Sequence, residues 1–599
     1  MTPASQIKRH PNGLQHHNIN DEQGFSALIV VNTPALDDSG VSHAVEHLVF
    51  RRSAAFNHAE SLFQLTALTD LSINASTHYN VTYYHCHSQC LQTCLLGLNY
   101  LLNGLLAPAF VTQDLAHEIY HNDCYGVINR ELTPQQDDQQ DKQQRAISRS
   151  DTSAQRCYQY GGDIELISKL TLADITRYHA QYYQAQKMHL VTGNIEPTLV
   201  TSLLESINDI TKNKTPYCSK ALPKADFFEN KHYETTHFEA NNQLVRWYID
   251  DEFYAYFSKN HKNLSHLIES FDAQLLEPQY NLNNKQQFAL DIIAPINCSE
   301  TVLSKALANF ILKHPEDKSV KENEQPNKFS PEIIRLFDYY QTLMRDLESA
   351  LTPNLTPNST PNSTQGLNQK LSKKQSLNLN KQTAFTLERG TVYPLQKQPR
   401  IKQQQTNKST ALLPVENLLL IQLSQHLSEG KYQQSEYKHR ALPTIFSPLL
   451  MQAQLQLIQH QELGQRQDQE KIAQVFDPNH CLILLNINDT EQNIAILTSF
   501  IINAYPTFLA SRTQGHCYAI ASHYLTDSHH LAFYSAFDVD PCFRLSAITQ
   551  SLKTLSKDLQ FIAAALPLAK SKLNNVELKS VTADSVAEFI SHNLLTNNT

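Results

Sequence analysis

The chain has no excess of basic residues: 49 Lys and Arg stand against 58 Asp and Glu, a formal net charge of -9 over 599 residues. Proteins that seek nucleic acid through its phosphates carry the opposite balance, so nucleic acid is not an expected partner. There is no apolar leader either. Met1–Asn20 is polar and His-rich, and no later run approaches the length needed to span a bilayer, so no membrane partner is expected and a cytoplasmic location follows by default. The ten cysteines are too scattered for a disulfide framework and are expected as thiols in a reducing compartment. What is present, 41% hydrophobic and 18% charged residues, describes a mildly acidic globular chain long enough for three or four units.

The segment Phe25–Thr33 (FSALIVVNT) is apolar and β-branched, and Asp37, Asp38 and Ser39 are candidate caps for a helix starting near Val41. Ser72–Ala75 and Asn80–His87 read as strands, Leu91–Leu106 as a buried helix and Thr171–Gln184 as another, giving an α+β unit over residues 1–200. A reduced middle α+β region, 201–351, offers a strand at Gln287–Ala294 and a helix at Glu332–Leu351. Residues 352–412 repeat TPN and TPNST and then turn Lys- and Gln-rich, the composition of a linker without fixed structure. The last unit, 413–599, shows helical patterns at Glu416–Glu429, Ser447–Leu463 and Thr490–Tyr505. Strands are expected at Cys481–Asn488, Gly515–Ser522 and His530–Phe537, an order that echoes the first unit.

The text SGVSHAVEHLVF holds His43, Glu46 and His47 in an H-x-x-E-H spacing. On a helix, positions i and i+4 share a face, so both imidazoles can reach one zinc ion, while i+3 sets a carboxylate beside a metal-bound water as general base. Zinc lowers the pKa of that water and polarises a carbonyl, and peptide-bond hydrolysis is the usual use of such a site.

The run HHNINDEQGFSALIVVNTPALDDSGVSHAVEHLVF resembles the opening of the M16 metallopeptidases (the pitrilysin and insulinase type), particularly the presequence-protease branch. The resemblance implies a third ligand from a G-V-x-x-N-E helix, here GVINRE, which makes it Glu131 and places Arg130 where the family has Asn. It likens LSINASTHYNVTYY to a substrate-binding edge strand whose Asn-Ala pair falls on Asn74 and Ala75. YGGDIELISKLTLADITRYHAQYY is similar to the close of the family's first domain. Far along the chain, ASRTQGHCYAI followed by FYSAFDVDP is similar to the family's last domain, whose arginine and tyrosine fall on Arg512 and Tyr518. Such donors stabilise the oxyanion of a tetrahedral intermediate. The family fold would bring two halves together as a clamshell-like chamber around short or unfolded peptides.

A rival motif, HEIYH, sets His117, Glu118 and His121 in the commoner H-E-x-x-H spacing. No third imidazole follows at a matching distance, and the resemblance places this stretch on the helix leading to Glu131, with Glu118 behind the ligands. Cys86, Cys90 and Cys94 recur every four residues, a spacing that suits a buried helix face better than a metal site. His85 and His87 read as packing or surface residues. The Lys-rich stretch Lys370–Lys408 lacks aromatic interleaving and reads as solvated linker.

The sequence thus leads to a zinc endopeptidase with one Zn2+ per chain on His43, His47 and Glu131, Glu46 as base, Arg512 and Tyr518 as donors, and peptides as partners. A catalytically silent peptide-binding subunit of the same type is the alternative. Whether the halves meet within one chain, in a homodimer or by pairing with another chain is left open. RRSAAFNHAESLF stands where the family has a Gly-Ser segment, and the middle is shorter than in presequence proteases.

Overall fold

The computed structural model describes residues 5–20, 24–78, 80–121, 124–137, 158–212, 242–249, 256–257, 260–276, 279–281, 287–313, 330–351, 375–377, 385–394, 442–462, 472–573, 578 and 580–595. It is a mixed α and β fold in which sheets are packed by helices. The expected helix at Glu416–Glu429 and the TPN repeats lie outside the described residues.

The N-terminal sheet has the order β1-β2-β6-β3-β5-β4, from β1 (Ser5–Arg9), β2 (Gln15–Ile19), β3 (Phe25–Asn32), β4 (Ser72–Thr77), β5 (Val81–Ser88) and β6 (Met188–Gly193). Among the described residues only β2 and β6 pair in parallel. The continuous apolar run of β3 has a physical reason, since both of its faces are covered. Ala27, Ile29 and Val31 join the main core with α1 (Val41–Val49) and α3 (Leu91–Leu106). Leu28 and Val30 face the other way and pack on Ile333 and Leu336 of the helix Pro331–Leu351. That helix, which the sequence offered without a role, seals the outer face of the sheet.

Helix α1 begins at Val41 as expected, but its cap differs. The N-cap is Gly40, in the left-handed region at φ 65, which has no side chain to cap with; of the expected caps, the Ser39 hydroxyl accepts from the Val41 amide at 3.4 Å. Asp37 instead accepts from the Ser39 amide at 2.9 Å, and Asp38 accepts from the Gln159 amide at 2.8 Å, tying the entry of α1 to the loop that carries Gly161 and Gly162. A Cβ on Gly40 would lie 2.6 Å from the Gly162 Cα, so the close approach of these two loops requires glycine. The three cysteines do not share one helix face: Cys86 lies on β5, Cys90 at the N-cap of α3 and Cys94 within α3, all buried. The reading of them as packing residues still suits their burial.

In the middle region, strand Asn242–Ile249 lies between Gln287–Pro295 and Phe385–Pro394. Its core gathers Val245, Trp247, Leu264, Leu290 and Leu303. Arg246 and Asp291, cross-strand partners, form a fully buried two-pronged ion pair at 2.7 and 2.8 Å. The stretch 352–412, expected to carry no fixed structure, contains strands Gln375–Leu377 and Phe385–Pro394; the second completes this sheet by pairing with Asn242–Ile249. Its alternating text, FTLERGTVYP, is a strand signal that the surrounding Lys- and Gln-rich composition hid.

The C-terminal sheet is antiparallel, in the order Ile472–Phe476, Cys481–Asn486, His530–Ala536, Ala519–Leu525. The last strand begins later than its expected start at Gly515. Cys481, Ile483 and Leu485 face the main core, while Leu482 and Leu484 face the helix Ser447–Glu462. A sheet with the main core on one face and a single helix on the other repeats the N-terminal design.

The two halves meet within the one chain. Helix Gln492–Ala504 packs on α2 (Ser61–Leu68), and a continuous apolar core runs through both units. Gln64 donates to the Ala504 carbonyl at 3.2 Å, and the Lys572 ammonium donates to the Thr66 and Ala67 carbonyls at 2.9 and 2.8 Å, a cation at the carbonyl end of α2. Among the described residues no single helix is long and apolar enough to cross a membrane.

Gly515, at φ 79, lies so close to the other unit that a Cβ would stand 2.3 Å from the His117 carbonyl oxygen. Gly515→Ala is expected to lower the unfolding free energy by about 2 kcal/mol or more through strain and displacement of this joint. Denaturant unfolding measures it; an unchanged midpoint would show that the units do not press together here.

Candidate metal centre

Helix α1 presents His43 and His47 one turn apart, with ring centroids 4.8 Å from each other. Each ring has one nitrogen already committed. His43 Nδ1 bonds the Gly161 carbonyl at 2.9 Å, so it carries the proton. His47 Nδ1 lies 2.9 Å from Glu118 Oε2 and donates to that carboxylate. Both bonds leave Nε2 to face inward, the tautomer a metal ligand needs.

The third group comes from α5 (Val127–Asp137), which begins just after Gly126. Glu131 Oε2 stands 3.4 Å from His47 Nε2 and 3.7 Å from His43 Nε2, and all three donor atoms lie within 4.8 Å of one another. Although the Glu131 side chain is 29% exposed, this oxygen is itself buried and accepts no hydrogen bond. An orphaned carboxylate oxygen facing two inward imidazole nitrogens is a donor set that a cation could satisfy. Zinc bonds of about 2.0–2.1 Å in a tetrahedron hold their donors roughly 3.3 Å apart, so the three residues fit zinc with little adjustment.

Without the metal, protons balance the carboxylates. Burial disfavours charge on His47, but the hydrogen bond to Glu118 and the carboxylate of Glu131 close to its other nitrogen overcome it and push the ring up to about 10. His43 is likewise opposed by burial and raised by Glu131. Glu131 is held below the ordinary carboxylate range by the two histidines, against the pull of its burial.

Glu118 is 1% exposed. It lies on α4 (Thr112–Ile119), held by the His47 ring, by Arg51 Nη1 at 3.2 Å and by Arg512 Nη1 at 3.5 Å. Burial alone would raise its pKa; Arg512, Arg51 and the His47 bond hold it well below the usual value. Arg51 also reaches Asp114, the His117 ring and the Thr513 carbonyl, while Arg52 pairs with Asp114 at 2.7 Å. Helix α4 ends at Ile119, and His121 falls on the short strand Tyr120–His121, so His117 and His121 do not share one helical face. Glu118 serves the His43 and His47 cluster instead.

Arg512 lies in the last turn of helix Pro506–Thr513, and Tyr518 precedes strand Ala519–Leu525. The guanidinium sits over the Tyr518 ring at 5.9 Å and over Phe63 at 5.7 Å, and its Nη1 makes no hydrogen bond. Burial and the nearby Glu131 charge push Tyr518 up to about 12, which keeps its phenol protonated and able to donate. Arg130, the departure from the family text, donates to the Gly515 carbonyl at 3.2 Å and so ties α5 to the C-terminal unit. Glu46 is 8% exposed and accepts a hydrogen bond from Thr77. Asn74 and Ala75 lie on β4, the outermost strand of its sheet, and Asn74 accepts from the Ala75 amide at 2.9 Å.

Sequence reasoning missed Arg51, Thr77 and Gly161. Arg51 stood in plain view as a departure from the family text. The role of Thr77 depends on a cross-strand register, and Gly161 acts through a carbonyl that every residue possesses.

No protein-family profile matches the sequence. Uncharacterized protein C3H1.02c of Schizosaccharomyces pombe (strain 972 / ATCC 24843) is 26% identical over 208 residues, 32% of this chain and 20% of that protein, so the match spans about a fifth of the relative's length. Among solved structures, a protease from Helicobacter pylori matches with a TM-score of 0.38 and 15% identity, covering 58% of this chain and 87% of its own. A putative M16-like peptidase from Alicyclobacillus acidocaldarius gives 0.34 and 13% over 59% and 86%. A peptidase M16 inactive domain from Pseudomonas fluorescens gives 0.37 and 12% over 58% and 92%.

Two predictions follow from the electrostatics. With a folded value of about 10 against an ordinary 6.5, His47 contributes stability to the metal-free protein that is complete below pH 6.5 and lost as pH rises through about 10. At pH 8 zinc must displace that proton, so calorimetry in buffers of different ionisation enthalpy should show at least about one proton released per metal bound; no release would mean a neutral His47. Glu118→Gln, which removes the charge oriented on His47, should weaken zinc binding by about 10- to 100-fold in competition with a chelator. Unchanged affinity would leave Glu118 a structural group only.

Proposed function

We propose that the chain is a zinc-dependent endopeptidase of the M16 type, close to the presequence-protease branch, acting on short or unfolded peptides. The observation that carries this reading is the donor set. Two imidazoles with their Nδ1 atoms committed and an unpartnered carboxylate oxygen converge within 4.8 Å, with Glu46 on the same helix turn as His47. The sequence matches that pointed to this site come from residues far apart in the chain, and the fold brings Arg512 to the carboxylate that holds His47.

Zinc held by His43, His47 and Glu131 would supply a Lewis acid that loosens the proton of a bound water and polarises the substrate carbonyl. The protein groups do the rest. Glu46 accepts the water proton and returns it to the leaving amine. The Tyr518 phenol and the Arg512 guanidinium donate toward the oxygen on which negative charge develops. Glu118 holds the His47 ring in the ligand tautomer, and the Gly161 carbonyl does the same for His43. A peptide adds to the free edge of β4 near Asn74 and Ala75, where recognition is mainly of backbone.

Glu46→Gln removes the base and leaves every ligand. Wild-type protein should hold about one zinc and cut quenched peptides, and the variant should keep its zinc while the rate falls by about a hundred- to ten-thousandfold. Zinc in both with cleavage by neither makes the chain a silent peptide-binding subunit. Cleavage by the variant would move the chemistry elsewhere.

A further inference from the structure

We propose that Thr77 is a positioning residue for Glu46, so that the β4–β5 hairpin aligns the base as well as offering the peptide-binding edge; this rests on the peptidase reading above. Thr77 Oγ1 donates to Glu46 Oε2, and both residues are buried. Behind it, Thr77 Oγ1 lies 3.0 Å from Thr82 Oγ1, which lies 2.7 Å from Thr33 Oγ1. Thr33 and Thr82 are wholly inaccessible to solvent.

A hydroxyl has one proton to donate and two lone pairs to accept with, whereas an ionised carboxylate only accepts. The Thr77 proton is therefore committed to Glu46. Thr77 must then accept from Thr82, and Thr82 from Thr33. The charge of Glu46 thus sets the direction of every bond in the string, and in a buried setting such aligned bonds reinforce one another. With Oε2 engaged, Oε1 is the oxygen that takes the proton of the water.

The string also joins two parts of the site. Thr77 and Thr82 are register partners across the hairpin, and Thr77 follows Ala75 by two residues on the same strand. A peptide pairing with the outer edge of β4 would thus lie along the strand that carries the base's donor.

Thr77→Val keeps the shape and removes the donor, while Thr77→Ser keeps the donor. A hydrogen bond to a charged group is strong enough that the valine variant should lose kcat by about tenfold to a hundredfold, with KM and zinc content unchanged. The serine variant should remain within about threefold of wild type. Independently of activity, urea unfolding of Thr77→Val, Glu46→Ala and the double variant should give non-additive losses, the double falling short of the sum because both singles break one bond. Additive losses, equal damage from valine and serine, or a valine variant as active as wild type would each overturn the proposal while leaving the peptidase reading in place. A wild type that holds zinc and cuts nothing would overturn that reading and this role with it.

Discussion

Glu118 is the point on which the centre depends. It is a carboxylate almost without exposure, and burial of a bare charge is costly unless partners surround it. Its partners come from three directions: His47 on the motif helix, Arg51 just beyond that helix, and Arg512 from the far unit. One buried charge therefore orients a candidate metal ligand and fastens the C-terminal half to the N-terminal one. Arg51 extends the same contact to the Thr513 carbonyl, and Arg130 adds a parallel one to Gly515. Arg51 and Arg130, two of the basic departures near the ligands from the text the chain resembles, both bond the far unit.

Around that joint the architecture is economical. Each terminal unit is a sheet with one face in the shared core and the other closed by a single helix, Pro331–Leu351 in one case and Ser447–Glu462 in the other. The shared core carries α1 and the helices that present Arg512 on one continuous apolar body. Side chains fixed by such packing hold catalytic geometry more closely than loops do. The middle region stands on its own core, and the Arg246–Asp291 pair is buried on the opposite face of the same sheet.

Much of this was legible in the chain. The apolar text of Phe25–Thr33, the strands at 72–77 and 81–88 and the helices at 91–106 and 447–462 follow from local pattern, because burial imposes a period on the sequence. The spacing of His43, Glu46 and His47 follows from the pitch of a helix. Other features were hidden where local text and tertiary role disagree. Asp37, Asp38 and Ser39 look like caps, yet Asp38 is drawn off to Gln159 and glycine takes the cap position because Gly162 presses against it. Phe385–Pro394 looks like linker by its surroundings and becomes a strand because Asn242–Ile249 offers it an edge.

By itself the sequence determined the chemistry available: two imidazoles and a carboxylate on one helical turn, a second carboxylate on a later helix, and an arginine and tyrosine far downstream. These are fixed by residue identity and by periodicities of a few residues. Only the tertiary structure decided which of the two zinc-like spacings gathers its donor atoms around one point. Ending α4 at Ile119 separates His117 from His121 and turns Glu118 toward His47. It also decided that Arg512 and Tyr518 arrive from within the same chain and that Thr77 meets Glu46. Those contacts span from 31 to nearly 400 residues of sequence, and they exist because apolar surfaces on distant elements could be buried only against each other.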